Sequence, residues 1–477
     1  MIKHSIYTLL AALLWLGVAS CRITKAYKTP DLEVNADSLF RKTDADSTYQ
    51  SAASDTTSMA DIAWTALFTD PNLQHLIKEG LDKNLDLKTA IQVIQESEAS
   101  FLQSKSALLP TLQADINATK AKQSKAALNF PSSVNINLNT TTYKAQLSTS
   151  WEADIWGKLS SAKRASYATL LQSEAAKRAV QTQLIANIAL NYYSLLALDK
   201  QLAITQQTLE KRIEDVDAMK ALKESATVTG AAVVQSEANR YAAEVSIPDI
   251  KQSIRETENA LSILLARAPG HIERSTLDAQ QVQVDLKTGI ATQLLKNRPD
   301  VQQAEYAFRA SFENTNVARG YFYPSFTITG SGGLSTLKLE NFFVSSVFYS
   351  LVGGLTQPIF ARNQNKARLR IAKAQQLEAM YSFQQSLLVA GQEVSNALYS
   401  YQAAADKKIS RAKQLEALEK SVEFTRALLQ YSSETNYTDV LTSEQSLLAA
   451  QLSGINDNLQ QLQAVVNLYR ALGGGLK

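Results

Sequence analysis

Few side chains in this sequence could do chemistry. Among its 477 residues are three histidines and one cysteine. His75 and His271 stand far apart with no cysteine near either, so neither a zinc site nor a His-based triad can be drawn from them. Cys21 is different. It ends the run Val18-Ala19-Ser20-Cys21, which follows an apolar stretch from Ile6 to Val18 and, before that, Lys3 and His4. A positive start, a short apolar core and small residues describe a secretory signal over residues 1–20, too short to span a bilayer comfortably. The last four residues resemble a bacterial lipobox, with valine where leucine is usual. The chemistry implied is acylation, with Cys21 as the lipidated first residue of the mature chain and a covalent lipid such as palmitate upon it. The competing reading is a chance cysteine after an ordinary signal. No other cofactor and no metal is expected, and a single cysteine allows no internal disulfide.

Two further patterns are weighed and set aside. Gly330-Ser331-Gly332-Gly333 follows a strand-like stretch, but no Lys-Ser ending and no βαβ unit accompany it. A flexible outer loop is the expected role, not a phosphate cradle. Acidic residues are spaced along solvent faces of helices and form no paired carboxylates. No catalytic residue is expected, and the chain does not read as an enzyme.

The elements that would carry these residues are mostly long helices. Charged residues are 19%, hydrophobic ones 45%, and the net charge is +3. Glycine and proline are sparse, and no basic block suggests nucleic acid. Residues 21–61, rich in Ser, Thr and Asp, read as an extended, solvated segment leading away from the lipid anchor. Asp70-Pro71 marks a helix start. A second helix, carrying Leu87, Ile91, Ile94 and Phe101, stops at Pro110. Leu112, Ala114, Ile116 and Ala118 then alternate with polar residues, as do Tyr143, Ala145, Leu147, Thr149 and Trp151, which predicts two strands joined by a long loop. From about Lys158 to Ser225 there is neither proline nor glycine, enough for a helix roughly 100 Å long at 1.5 Å per residue. A break near Gly230 precedes a returning helical arm.

The whole plan is then stated again. Asp86, Ala90, Pro110 and Leu112 recur as Asp300, Ala304, Pro324 and Phe326 at a constant offset of 214. Ile155-Trp156-Gly157-Lys158 is echoed by Ile359-Phe360-Ala361-Arg362, and each opens a long helical run. The expected organisation is therefore two repeats, 62–285 and 286–477, each with two strands and one long helical hairpin. Four strands cannot close a barrel, and an open sheet edge in lipid leaves backbone groups unpaired at several kcal/mol each. Three copies would supply twelve strands, an even number in the range of bacterial outer-membrane barrels. No later stretch is apolar for long enough to cross a membrane as a helix, so any crossing must use strands. Trp151, Trp156 and Phe360 fall where strand turns into helix and are candidates for an aromatic girdle at the membrane boundary.

These segments, in this order, resemble the TolC-like outer membrane efflux proteins: Trp64, Phe68, Asp70-Pro71, Asn84 and Asp86-Leu87; Trp151 through Lys158; Arg298-Pro299-Asp300-Val301; Phe322-Tyr323-Pro324-Ser325-Phe326; Pro358-Ile359-Phe360; and Asn467-Leu468-Tyr469-Arg470-Ala471-Leu472-Gly473-Gly474-Gly475. With Cys21, the chain is most similar to the lipoprotein branch, the OprM or NodT type. The resemblance implies a mainly α fold with a small β part. It implies a homotrimer whose twelve-stranded outer-membrane barrel continues as a periplasmic helical tunnel. It implies a passive duct that meets a periplasmic adaptor and an inner-membrane pump, exports drugs or other small molecules, and sits lipid-anchored in the bacterial outer membrane. A duct for type I-like protein secretion and a periplasmic adaptor lipoprotein are the alternatives. An adaptor would show one hairpin flanked by β domains, whereas two hairpins are read here.

In that family the tunnel closes just after the turn of the second hairpin, with an apolar ring, an aspartate ring and an arginine. The matching stretch here runs from Asn436 to Gln445. The usual leucine falls on Thr438, the aspartate on Thr442 and the arginine on Gln445. Asp439 and Glu444 are the acids nearby, so Thr438, Asp439, Thr442 and Glu444 are the expected gate residues, with solvated helix-face positions as the bland alternative for the two acids.

Overall fold

The computed structural model describes residues 23–30, 59–127, 137–280, 297–431 and 437–475. Cys21, most of the extended segment, the expected repeat boundary and the break before Tyr437 lie outside the described residues. The elements are helices α1 (Trp64–Leu67), α2 (Pro71–Lys83) and α3 (Leu85–Ser106), strands β1 (Thr111–Lys122) and β2 (Asn139–Ala153), and helices α4 (Lys158–Glu224) and α5 (Gly230–Leu264). They continue with α6 (Pro299–Gly320), β3 (Ser325–Thr336), β4 (Val347–Thr356), α7 (Gln364–Tyr431) and α8 (Tyr437–Ala471). Corresponding helices of the two halves match in length: α3 and α6 have 22 residues each, α4 and α7 have 67 and 68, and α5 and α8 have 35 each. No described helix is long and apolar enough to cross a membrane.

The chain forms two compact units, each drawing on both halves of the sequence. One holds the sheet and the helical segments next to it. Its four strands run antiparallel in the order β1-β2-β3-β4. Both outer strands are sheet edges within the single chain, and the register is continuous: Ala114 opposes Leu147, Leu147 opposes Gly332, and Gly332 opposes Tyr349. The glycine run is therefore not a flexible loop. Gly330 to Gly333 lie inside β3, hydrogen-bonded on both sides. Gly333 is needed there because a Cβ would sit 2.1 Å from the carbonyl oxygen of Ala145, closer than real Cβ contacts.

The start of the extended segment also departs from expectation. Residues 23–30 have no helix or strand, and Lys25, Ala26, Lys28 and Thr29 are exposed, yet the segment is tied to α6. Lys25 exchanges two hydrogen bonds with the Asn316 side chain, at 3.1 and 2.9 Å. Tyr27 packs its ring 5.6 Å from that of Phe312 and 6.0 Å from that of Phe308. A backbone satisfied by an asparagine and a half-buried aromatic packed on two others tie this stretch to the helix.

The second unit holds the main core. Leu73 and Ile77 of α2, Ile185, Ile188, Tyr192 and Leu195 of α4, Leu261 of α5 and Leu468 of α8 are fully buried together. Asp70 caps α2 by accepting from the Asn72 N–H at 2.9 Å, with Pro71 at the first helical position. Its other oxygen accepts from the Tyr192 hydroxyl at 2.6 Å, from Gln280 Nε2 at 2.8 Å and from the Ser275 hydroxyl. Burial alone would raise Asp70, but these donors hold its carboxyl below the ordinary value. Arg298, only 4% exposed, forks onto Asp300 at 3.0 and 2.6 Å and donates to the Ala471 carbonyl at 2.8 Å. Gly473, at φ +87°, packs so closely that a Cβ would come within 2.6 Å of the Asn297 carbonyl oxygen. The Arg298-Pro299-Asp300 motif and the glycine-rich ending are thus one contact.

Candidate functional site

Two features stand out as candidates, one in each unit. The first is the sheet, which has one apolar and one polar face. Strand alternation places Leu112, Ile116, Leu147, Trp151, Ile328, Tyr349, Leu351 and Leu355 on one side, where the pairing aligns them in rows. These side chains are not covered: Ile116 is 86% exposed, Tyr349 88% and Leu351 77%. The opposite face carries Gln113, Asp115, Gln146, Ser148 and Ser150. There Asp115 accepts from Gln113 at 2.7 Å, from Ser148 at 3.3 Å and from Gln146 at 3.4 Å. A contiguous exposed apolar face on a soluble monomer would be an aggregation surface. Opposite a polar face it is the pattern of a membrane strand.

The second feature is a charged cluster where all four long helices meet. Arg426 of α7 donates from Nε to Glu444 Oε1 of α8 at 2.8 Å, and its terminal nitrogen lies 2.6 Å from the same oxygen. That nitrogen also reaches Asp215 of α4 at 3.3 Å. One guanidinium thus serves two carboxylates. Burial first, and Glu444 beside it second, push Asp215 up to about 6. Burial works against the charge of Arg426 too, but Glu444 and Asp215 outweigh it and raise its pKa. Around this cluster the Tyr437 hydroxyl meets Ser236 of α5 at 2.8 Å, Gln445 donates to Asn239 at 3.2 Å, and Arg212 donates to the Asn239 carbonyl at 2.5 Å. Met219, Val233, Tyr437, Val440 and Leu441 form a small apolar core beside it.

The expected gate residues separate into two groups. Thr438, Asp439 and Thr442 lie on the exposed face of the first turns of α8, with the Thr442 hydroxyl turned back onto the Thr438 carbonyl at 2.8 Å. Glu444 points the other way, into the Arg426 cluster. Arg426, Asp215, Arg212, Asn239, Tyr437 and Ser236 were not foreseen. A signal existed for one pair: Arg426 and Glu444 lie nine residues to either side of position 435, so an antiparallel hairpin turning there sets them opposite each other. For Asp215, 211 residues away from Arg426, no local signal exists. Of the boundary aromatics, Trp151 stands on the apolar face and donates to the Leu108 carbonyl at 2.9 Å. Trp156 donates to the Pro324 carbonyl at 2.7 Å and packs on Tyr323, while Phe360 is 85% exposed. Among the described residues no group of three His, Cys, Asp or Glu is placed to hold a metal.

Comparison with known proteins agrees with this geometry. The chain is 29% identical to the probable outer membrane lipoprotein SilC of Salmonella typhimurium over 425 residues, covering 88% of this chain and 89% of SilC. It is 27% identical to the cation efflux system protein CusC of Escherichia coli K12 over 472 residues, covering 96% and 97%. The open-state structure of the MtrE outer membrane channel of Neisseria gonorrhoeae superposes with a TM-score of 0.82 at 26% identity, covering 96% of this chain and 99% of that one. The fold is that of the TolC-like channels, mostly helical with a four-stranded antiparallel sheet from each chain. The family model for outer membrane efflux proteins matches residues 76–267 and again 290–474, so this chain, a protein of the outer membrane, belongs to the outer membrane efflux protein family.

Proposed function

We propose that three copies of this chain close twelve strands into one outer-membrane barrel, that their helical hairpins build the periplasmic duct beneath it, and that the assembly passively exports ions or small molecules delivered by an adaptor and an inner-membrane pump. The observation that carries this reading is the two-faced sheet whose edges have no partner strand among the described residues. A four-stranded open sheet with a bare apolar face is stable in a bilayer only if further strands close it. The two matched stretches are read as two repeats, each giving one strand pair and one helical hairpin. Cargo selection is assigned to the pump, because the polar face offers small hydroxyl and amide side chains that suit water and solutes in general.

The lipid on Cys21 is proposed as a second attachment to the same membrane. Trp151, Trp156 and Phe360 are proposed as its boundary aromatics, with the two Trp rings at headgroup depth and their indole N–H groups donating to backbone carbonyls. The gate is proposed at the start of α8. There Thr438, Asp439 and Thr442 form the exposed face, and Arg426 with Asp215 and Glu444 pins that face in place. No catalytic role is assigned to any residue. The test is reconstitution of the purified protein in planar bilayers, alongside its mass in detergent. A trimer that conducts supports the reading, and a monomer or a non-conducting species overturns it.

A further inference from the structure

One face of α5 is left bare in the single chain. Val234, Ala238, Tyr241, Val245 and Pro248 recur along it at alternating steps of four and three residues, the spacing of a coiled-coil seam. All five are exposed, Val234 at 64%, Tyr241 at 53% and Val245 at 67%. Apolar residues exposed singly are ordinary on a protein surface, but a row of them in heptad register is a packing face. Resting on the trimer reading above, we propose that this face of α5 packs against the second hairpin, α7 with α8, of the next copy of the chain.

The internal repeat indicates what covers it. Helices α5 and α8 have 35 residues each, so Gly230 matches Tyr437 and every later residue matches one at an offset of 207 (437 − 230). The residues agree with that register. Val233-Val234-Gln235-Ser236-Glu237 falls on Val440-Leu441-Thr442-Ser443-Glu444, and Ala242-Ala243-Glu244-Val245-Ser246 falls on Ala449-Ala450-Gln451-Leu452-Ser453. The bare stripe therefore has a twin on α8: Leu441, Gln445, Leu448, Leu452 and Ile455. That twin is seated on the protein. Leu441 is only 6% exposed and joins Met219 of α4 and Val233 of α5 in one apolar cluster. Gln445 donates to the Asn239 side chain of α5 at 3.2 Å. Ile455 is buried in the main core, with Leu452 packed against it.

Two matching stripes thus differ in one respect: α8 has the first hairpin of its own chain beside it, and α5 has no hairpin there. In a closed ring of hairpins the second hairpin of one copy stands beside the first hairpin of the next, so α5 meets a surface of the kind that α8 meets within the chain. A helix of another protein would also fit a heptad face; the repeat favours a copy of this chain, because the twin stripe already rests on a hairpin of this chain. The match also limits the seam. Beyond Pro248 the stripe would continue on α5 through Gln252, Arg255 and Asn259, where α8 has Leu459, Leu462 and Val466. The apolar contact between copies therefore covers 234–248, about 21 Å of helix at 1.5 Å per residue, and turns polar past it. Within that length the Arg240 guanidinium lies 4.7 Å from the centre of the Tyr241 ring and holds the ring on the surface.

The test has two arms, both on the full-length protein. In the first, the photocrosslinker p-benzoylphenylalanine replaces Tyr241, and the protein is irradiated in intact cells and again after purification in detergent. The expected product is a covalent dimer or trimer of the chain, with the linked peptide drawn from 364–471. In the second, V245D and I213D are compared with wild type by mass photometry on dilution in detergent, with circular dichroism to confirm the helices. V245D should weaken the trimer by roughly tenfold or more, because it buries an unpaired carboxylate in the seam. Both altered side chains are exposed in the single chain, so neither change disturbs its core. I213D is the control and should change nothing: counted back from the ends of α4 and α7, Ile213 matches Lys420, and both are exposed. A wild-type trimer that gives no link between copies, or a V245D trimer as stable as wild type, overturns the seam while leaving the duct reading intact. A link in cells to a different protein, with none between copies, overturns the choice of partner. A wild type that is monomeric in detergent overturns both readings.

Discussion

Replacing Arg426 by glutamine should loosen the start of α8 and favour the open duct. The change removes two contacts to Glu444, at 2.6 and 2.8 Å, and one to Asp215 at 3.3 Å. It also leaves two largely buried carboxylates facing each other with no cation between them. Hydrogen bonds to charged groups contribute about 1.5–3 kcal/mol each, but exposed ion pairs only about 0–1. Arg426 is 42% exposed while its partners are 15% and 17% exposed, so the cluster lies between these limits. We take about 2 kcal/mol for the whole. At ~1.4 kcal/mol per factor of ten, that shifts a closed-to-open equilibrium by roughly thirtyfold. The assay is single-channel recording at pH 7.5, with amide hydrogen exchange at Val440 to Gln445 as a local readout. Lys420→Gln, which breaks only the exposed pair with Glu416 on the same helix, is the control and should do nothing. A trimeric R426Q protein with the open probability and exchange of wild type would refute the reasoning, because the cluster would then hold nothing in place.

Four further outcomes follow from the same geometry. Because the Asp215 carboxyl in the fold titrates at about 6, above its ordinary 3.8, the folded cluster binds a proton more tightly than the unfolded chain. Its stability is therefore full below about pH 4 and falls as pH rises to about 6; conductance of wild type should increase over pH 4–6 and level off above it, while Asp215→Asn should flatten that dependence. Gly333→Val should prevent β2–β3 pairing, since even a single Cβ clashes with the Ala145 carbonyl, and the expected result is loss of the heat-stable trimer on gels. Leu351→Lys should reduce folding into bilayers by about 2–4 kcal/mol if its face meets lipid, whereas Ser350→Lys on the other face should be tolerated and should alter ion selectivity. Asp70→Ala should cost about 2–4 kcal/mol in denaturant unfolding, through a lost cap and the unsatisfied donors of Tyr192 and Gln280. Since the carboxyl is held below its ordinary value, the stability it contributes should vanish in wild type only as pH falls below about 4.

Much of the fold was legible because its signals are local. A proline-free run predicted α4, observed as Lys158–Glu224, within a residue or two of the expected bounds, and the repeat predicted a second long helix, observed as α7 at Gln364–Tyr431. Alternation predicted β1 and β2 and which of their side chains share a face, and the repeat predicted a second strand pair. Where composition was the only guide, the reading failed. Glycines read as a loop form the middle of β3, because a close neighbouring backbone, and not chain flexibility, requires them. The start of the segment read as solvated is tied to α6 through Lys25 and Tyr27, because Asn316 and two phenylalanines lie 280 or more residues further along the sequence.

By itself the sequence determined the repeat, the helical and strand periods, the two-faced sheet and the family. Each is written in the types and spacing of residues near one another in the chain. Only the tertiary structure decided which charges meet. Arg426 could have served any acid within reach; it serves Asp215 and Glu444 because four helices converge there. Periodicity sets the face a residue occupies, but ion pairing depends on distances of about 3 Å between segments far apart in the chain, and only folding fixes those.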